Sequence, residues 1–232
     1  MKKFLAIVSI AVAVFATSCK KAEPVMTYRA TATAKLLDGG KFFFEVEDDL
    51  AMVASNIKQF PFVDKQTEQR VQFIYSENKG TTSSVPGYAT TKSVTIYDYL
   101  LTLTKNPLVY DDTKTYPKDP LGLYLDDKVF PYTMIEDGYL SVSFVMPFGV
   151  ADIAHEVNLL TDIDPEDPYT VKFIHDAKGN AGPYTRDGLV CFPLKSLPDT
   201  EGKTVKLTLK WDSTVTGKEE SVKFDYCSRT DW

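Results

Sequence analysis

Histidine and cysteine are scarce in this chain: two and three among 232 residues. Metal centres and nucleophilic triads draw on those side chains, so little material is left for either. No apolar run reaches the roughly 18–20 residues that a membrane-spanning helix needs. Positive charge is in deficit too: 26 Lys and Arg stand against 32 Asp and Glu, a formal net charge of −6. Binding to a polyphosphate backbone is driven by Lys and Arg, which argues against nucleic acid as a partner. The signatures G-x-S-x-G, H-E-x-x-H, G-x-G-x-x-G and the P-loop are missing. These absences leave no cofactor, no metal and no catalytic residue to assign. The carboxylate pair of a glycosidase need not be close in sequence, so a hydrolase stays open as the minor alternative. What is present is a globular composition, 44% apolar and 25% charged.

The first nineteen residues read MKKFLAIVSIAVAVFATSC. Lys2 and Lys3 form a positive start, and Phe4 to Ala16 is an apolar run broken only by Ser9. That run suits a secretory signal and is too short to span a bilayer. Ala16-Thr17-Ser18 then places small residues directly before Cys19. This resembles the lipobox of bacterial lipoproteins, although Ala16 stands where leucine is usual. The resemblance implies a signal peptide over 1–18, cleavage before Cys19 and lipidation of Cys19. Several acyl chains anchor a protein stably to a membrane where one is marginal. No aspartate follows Cys19 and no acidic cluster lies beside it. The expected site is therefore the outer membrane, with the periplasmic face favoured over the cell surface.

Beyond a tether over 19–27, apolar residues recur with period two, the mark of half-buried strands. Tyr28, Ala30, Ala32 and Ala34 share one face, as do Phe42, Phe44 and Val46, with Phe43 pointing the other way. Val71, Phe73 and Tyr75 repeat the pattern, and Val94 and Ile96 lead into the apolar stretch Tyr99 to Leu103. Later come Leu140, Val142, Phe144 and Met146, then Val205, Leu207, Leu209 and Trp211, then Val222, Phe224 and Tyr226. Asp38-Gly39-Gly40 and Ala177-Lys178-Gly179-Asn180 read as hairpin loops. Pro193 has no N–H to donate, so its strand is an edge or ends there. Asn78 to Thr91 is small and polar and reads as a long surface loop. No segment combines helical periodicity with caps. The class is all-β, in two blocks: a small barrel over 28–108, a linker over 109–120, and a β-sandwich over 121–232.

"KLLDGGKFFFEVEDDLAMVASN", "QRVQFIYSEN" and "SVTIYDYLLTLTKNPL" resemble the N-terminal domain of the NigD-like lipoproteins. "HEVNLL", "DPYTVKFIHDAKGN", "DGLVCFPLKSL" and "VKLTLKW" resemble their C-terminal domain. The strongest local match is His175-Asp176-Ala177-Lys178-Gly179-Asn180, similar to the family's His-Asn-Ala-x-Gly-Asp hairpin, with Asp and Asn exchanged at two places. The resemblance implies an OB-like barrel followed by a β-sandwich and a lipid anchor. It brings no enzymatic activity and no cofactor, and it suggests a bacteriocin-immunity role.

Among individual residues, Val171, Phe173 and His175 share a strand face, so His175 ends an apolar row. Its ring either hydrogen-bonds a turn carbonyl or serves a ligand, together with Asp176, Gly179 and Asn180. Gly179 supplies positive φ in the turn. His155 and Glu156 are neighbours on a strand and point to opposite faces, so they cannot act on one atom together. Asp162, Asp164, Glu166 and Asp167 form an acidic stretch, read as a solvated turn in preference to a calcium loop, since the glycine such a loop needs is absent. Cys191 and Cys227 each fall out of phase with the core face of their strand; whether they form a disulfide stays open. The expected function is non-catalytic binding of a protein at the cell envelope, with a glycan-binding accessory lipoprotein as the alternative.

Overall fold

The structure, a computed structural model, describes residues 25–47, 50–63, 66–80, 83–150, 153–230 and 232. The expected signal peptide, Cys19 and most of the tether lie outside the described residues. The chain divides into two units between Thr102 and Leu103. No described helix is long and apolar enough to cross a membrane.

The first unit is built from β1 (Tyr28–Leu36), β2 (Phe42–Glu47), β3 (Leu50–Ala54), β4 (Glu68–Glu77) and β5 (Thr90–Leu101). They close into a barrel in the order β1-β2-β3-β5-β4, with β4 returning to β1. The period-two faces read from the sequence all point inward: Ala30, Ala32, Ala34, Phe44, Val46, Val71, Phe73, Tyr75, Val94 and Ile96 form its core. Three alanines on β1 leave room for large rings opposite, and Phe44 and Phe73 pack with centroids 4.9 Å apart. Small against large is how a narrow barrel fills its taper. Phe43, out of phase, joins a separate cluster on the outer wall with Ala51 and Val85, and its ring meets Tyr88 at 5.0 Å. The Tyr88 hydroxyl donates to Glu45 at 2.7 Å. The stretch read as a free polar loop, 78–91, thus contributes Val85 and Tyr88 to the barrel wall, because Phe43 offers them apolar area to cover.

The second unit holds β6 (Leu103–Thr104), β7 (Leu108–Val109), β8 (Gly122–Leu123), β9 (Met134–Glu136), β10 (Tyr139–Phe148), β11 (Glu156–Thr161), β12 (Thr170–Asp176), β13 (Tyr184–Pro193), β14 (Val205–Asp212) and β15 (Glu219–Tyr226). One sheet runs β6-β13-β10-β8, with β9 also on β10; the other runs β15-β14-β12-β11-β7. Their inner faces supply one core: Leu140, Val142, Phe144, Val190 and Phe192 from the first sheet, and Leu159, Val171, Phe173, Leu207, Leu209 and Trp211 from the second. Burying each such side chain contributes roughly 1.5–3 kcal/mol.

Two expectations meet a different arrangement here. Residues 109–120, read as a linker, lie inside the second unit: β7 pairs in parallel with β11, and Asp119 is bonded to β12 and the turn after it. Ala177-Lys178-Gly179-Asn180 does form a tight turn, with Asn180 N–H donating to the Ala177 carbonyl at 2.8 Å. It does not close a hairpin, because β12 and β13 belong to opposite sheets. The turn carries the chain across the sandwich. A local turn signal specifies the reversal but not which sheet the next strand joins.

Candidate functional site

The only two histidines of the chain meet at this crossing. His155 precedes β11 and His175 ends β12, and in the β11–β12 register Val157 stands opposite His175. His155 is therefore the diagonal neighbour of His175 on the core face. His155 Nδ1 and His175 Nε2 are 2.8 Å apart, and the rings stack with centroids at 5.0 Å. Phe148 stacks on His155 at 5.1 Å, and the Arg186 guanidinium lies 4.0 Å over the Phe148 ring. His175 is 2% exposed. Burial, then the neighbouring His155, pushes its pKa below the ordinary histidine value; Asp119 and the backbone of Asp119 and Pro120 oppose the shift. The contact between the two histidines uses one nitrogen of each ring, one donating and the other accepting; the outer nitrogens, His155 Nε2 and His175 Nδ1, are buried and have no hydrogen-bond partner among the described residues. Among the described residues neither ring is hydrogen-bonded to a carboxylate, so neither has the partner that orients a general base.

The rest of the predicted group supports the same corner. Lys178 and Gly179 both adopt positive φ, 50° and 74°, and the Asp176 carboxylate accepts the Lys178 N–H at 2.8 Å. Asn180 is buried and fully used: Oδ1 accepts from Val150 N–H at 2.8 Å, and Nδ2 donates to the Val150 and Ile153 carbonyls at 2.9 and 3.1 Å. It pins the segment that carries His155. Gly182 packs so closely that a Cβ there would stand 2.5 Å from Gly149 Cα and 2.7 Å from the Phe148 carbonyl oxygen. His175, Asp176, Gly179 and Asn180 are thus one assembly in which the Asp176 and Asn180 side chains are spent on the fold.

The remaining sequence candidates do not join it. Cys191 and Cys227 are free thiols. Cys191 lies in the β13 sheet against Ser141 Oγ at 3.1 Å, while Cys227 follows β15 in the other sheet and takes a bond from Thr200 Oγ1 at 3.6 Å. Cys191 is buried although out of phase with the core, because Thr133, Ser141 and Ser143 are buried on that outer face with it. In the acidic stretch the carboxylates cap their own turn: Asp164 accepts Glu166 N–H, and Asp167 accepts Tyr169 N–H and the Thr170 hydroxyl at 2.7 Å. No group of three or more His, Cys, Asp or Glu side chains among the described residues is placed to hold a metal ion.

A second site, in the first unit, was not singled out from sequence. A cavity of about 570 Å³ is lined by Leu36, Gly40, Phe42, Tyr99 and the segment Gln59 to Phe62. Phe60 plugs the barrel end: it is 7% exposed and its ring lies 5.1–5.6 Å from those of Phe42, Phe44, Phe62 and Tyr99. Asn56 holds the connection in place, donating to the Ile96 carbonyl at 2.6 Å and accepting Ile96 N–H at 3.0 Å. The β1–β2 turn lines it with backbone only, because Gly39 and Gly40, both at φ 77°, carry no side chain and a Cβ on Gly40 would meet nothing within 4 Å. The lining has no charged residue. Phe60-Pro61-Phe62 within an otherwise polar connection was the available signal: two rings off the strand pattern, held around a proline.

Residues 113–226 match the family described as NigD-like C-terminal beta sandwich domain. Three solved structures share the fold across both units. A candidate toxin-related protein from Parabacteroides distasonis has 24% identity and a TM-score of 0.64, covering 87% of this chain and 94% of its own. A NigD-like immunity protein from Bacteroides caccae has 19% identity and a TM-score of 0.61, with coverage of 86% and 96%. A candidate lipoprotein from Bacteroides fragilis has 12% identity and a TM-score of 0.56, with coverage of 87% and 100%. No curated protein matches the chain. At these identities the likeness is one of fold.

Proposed function

The second unit of this chain belongs to the NigD-like C-terminal beta sandwich domain family, and from that premise we propose a non-catalytic binding protein of the cell envelope, anchored through a lipid on Cys19. The observation that carries this reading is the barrel groove, which offers aromatic surface and no acid, base or nucleophile. The two histidines, the scarce groups that catalysis would draw on, are bonded to each other in the sandwich. A tether over 19–27 reaches at most about 30 Å when extended, so the anchor keeps the barrel beside the bilayer. Tyr28 starts β1 and Leu36, on the groove, ends it; that nine-residue strand spans about 26 Å. The groove therefore stands at the end of β1 opposite the one the tether joins. The outer membrane, with the domain on its periplasmic side, is the location this reading takes.

An immunity-type role is the protein-binding version of it, supported by the names of the Bacteroides caccae and Parabacteroides distasonis structures. Labelling with a radioactive fatty acid, with Cys19→Ala alongside, tests the anchor. The wild type takes up label and sediments with membranes, and the variant does neither. Equal labelling of the two would overturn the anchor. Protease added to intact cells leaves the wild type uncut if the domain faces the periplasm, and digests it if it faces outward.

A further inference from the structure

We infer that the barrel groove binds neutral carbohydrate, with the apolar face of a sugar ring stacked on Tyr99 and Phe62; this rests on the binding role proposed above. Three properties of the lining carry it. First, the rings are arranged as a surface: Phe60 is the buried plug, while Tyr99 stands 38% exposed and Phe62 is partly open on either side of it. Such half-exposed rings offer flat apolar area with a polar edge. Second, the polar handles beside them are idle. Among the described residues neither the Gln59 amide nor the Tyr99 hydroxyl has a hydrogen-bond partner. A carboxamide and a phenol donate and accept, as a polyol ligand requires. Third, the lining carries no charge. A nucleic acid, which also stacks on rings, needs basic side chains tracking its backbone, and a uronic or sulfated glycan would want cations as well. Aromatic area, neutral hydrogen-bonding groups and no charge together match an uncharged sugar.

Binding is measured by calorimetry on the full chain in a detergent without a sugar headgroup. The probes are laminarin, pullulan and galactomannan, with heparin as the anionic probe and a phage-displayed apolar peptide library as a separate arm. The expected result is saturable binding of at least one neutral polysaccharide. Tyr99→Ala should weaken it roughly tenfold or more, and Gln59→Ala by a smaller factor. Gln59 is exposed, but Tyr99 also packs on Phe60 with centroids 5.6 Å apart, so thermal unfolding is run on each variant and binding is read well below its melting temperature, where loss of binding will not reflect loss of fold. Neutral polysaccharide binding that Tyr99→Ala leaves intact would overturn the assignment to this groove. Binding of heparin alone would overturn the neutral class. Tyr99-dependent capture of an apolar peptide without glycan binding would overturn carbohydrate while leaving the groove a binding site. Failure of every probe would overturn both the carbohydrate and the groove.

Discussion

Around Phe60 in the barrel and around His175 in the sandwich, rings stack beside a turn that carries a positive-φ glycine, Gly40 in one and Gly179 in the other. The polar groups of the two places fare differently. At the sandwich corner Asn180 makes three bonds, Asp119 takes the Ala177 N–H at 2.7 Å, and the histidines bond each other through one nitrogen each, leaving His155 Nε2 and His175 Nδ1 buried without a partner among the described residues. At the barrel end the Gln59 amide and Tyr99 hydroxyl bond nothing among the described residues. A polar atom spent inside a fold must be stripped of its partner before it can serve a ligand, at a cost of about 1–3 kcal/mol. A polar atom left in solvent at a rim gives up only water. The two unspent ring nitrogens of the corner are buried, so a ligand would have to open the fold to reach them, whereas the groups at the barrel end are open to solvent.

Glycine substitution should separate the two places most strongly. Gly182→Ala drives a Cβ into backbone atoms that cannot rotate away, and should cost about 3 kcal/mol by chemical denaturation. Gly40→Ala meets open space and pays only for its positive φ, about 1 kcal/mol. Equal losses would erase the distinction between a packed turn and an open one. Asn180→Ala removes three bonds that a buried side chain makes to the Val150 and Ile153 backbone; a loss of about 1–2 kcal/mol is expected.

The third contrast is in pH. Burial lowers the pKa of His175, so the folded state takes up its proton less readily than the unfolded chain, which protonates near about 6.5. Its stabilising contribution is thus complete above that value and is lost as pH falls below it, by at most about 1.4 kcal/mol per pH unit. Denaturation midpoints measured between pH 5 and 8 should show this slope, and His175→Gln should flatten it. The described barrel contains no histidine, so a separate barrel transition would lack that component. Smallest in stability is Gln59→Ala, expected within about 0.5 kcal/mol of wild type by thermal melting because the side chain is exposed. Its effect belongs to binding.

Much of the fold was legible because strands announce themselves locally. The alternations Ala30-Ala32-Ala34, Leu140-Val142-Phe144 and Leu207-Leu209 each put the right face inward, since a two-residue period is a property of one strand by itself. The Gly179 turn was legible for the same reason. The histidine pair was not: nothing near His155 mentions His175, and the contact exists only once the β11–β12 register is set. Phe43 was correctly seen as out of phase, but its cover of Val85 and Tyr88 arrives from a stretch of chain about forty residues on. The segment over 109–120 read as a linker from its prolines and aspartates, yet β7 and Asp119 are held by partners from distant strands.

By itself, then, the sequence determined an all-β chain, which face of each strand is apolar, where the chain turns, and that catalytic material is scarce. These follow from short-range sterics and from the choice of side chain at each position. Tertiary structure alone decided that the Ala177–Asn180 turn crosses between sheets, that the two histidines meet and share one hydrogen bond, and that Gln59, Phe62 and Tyr99 are left open or partly open to water. Those outcomes depend on which distant strands pair and what they cover, because a side chain's availability is set by its neighbours in space and not by its neighbours in the chain.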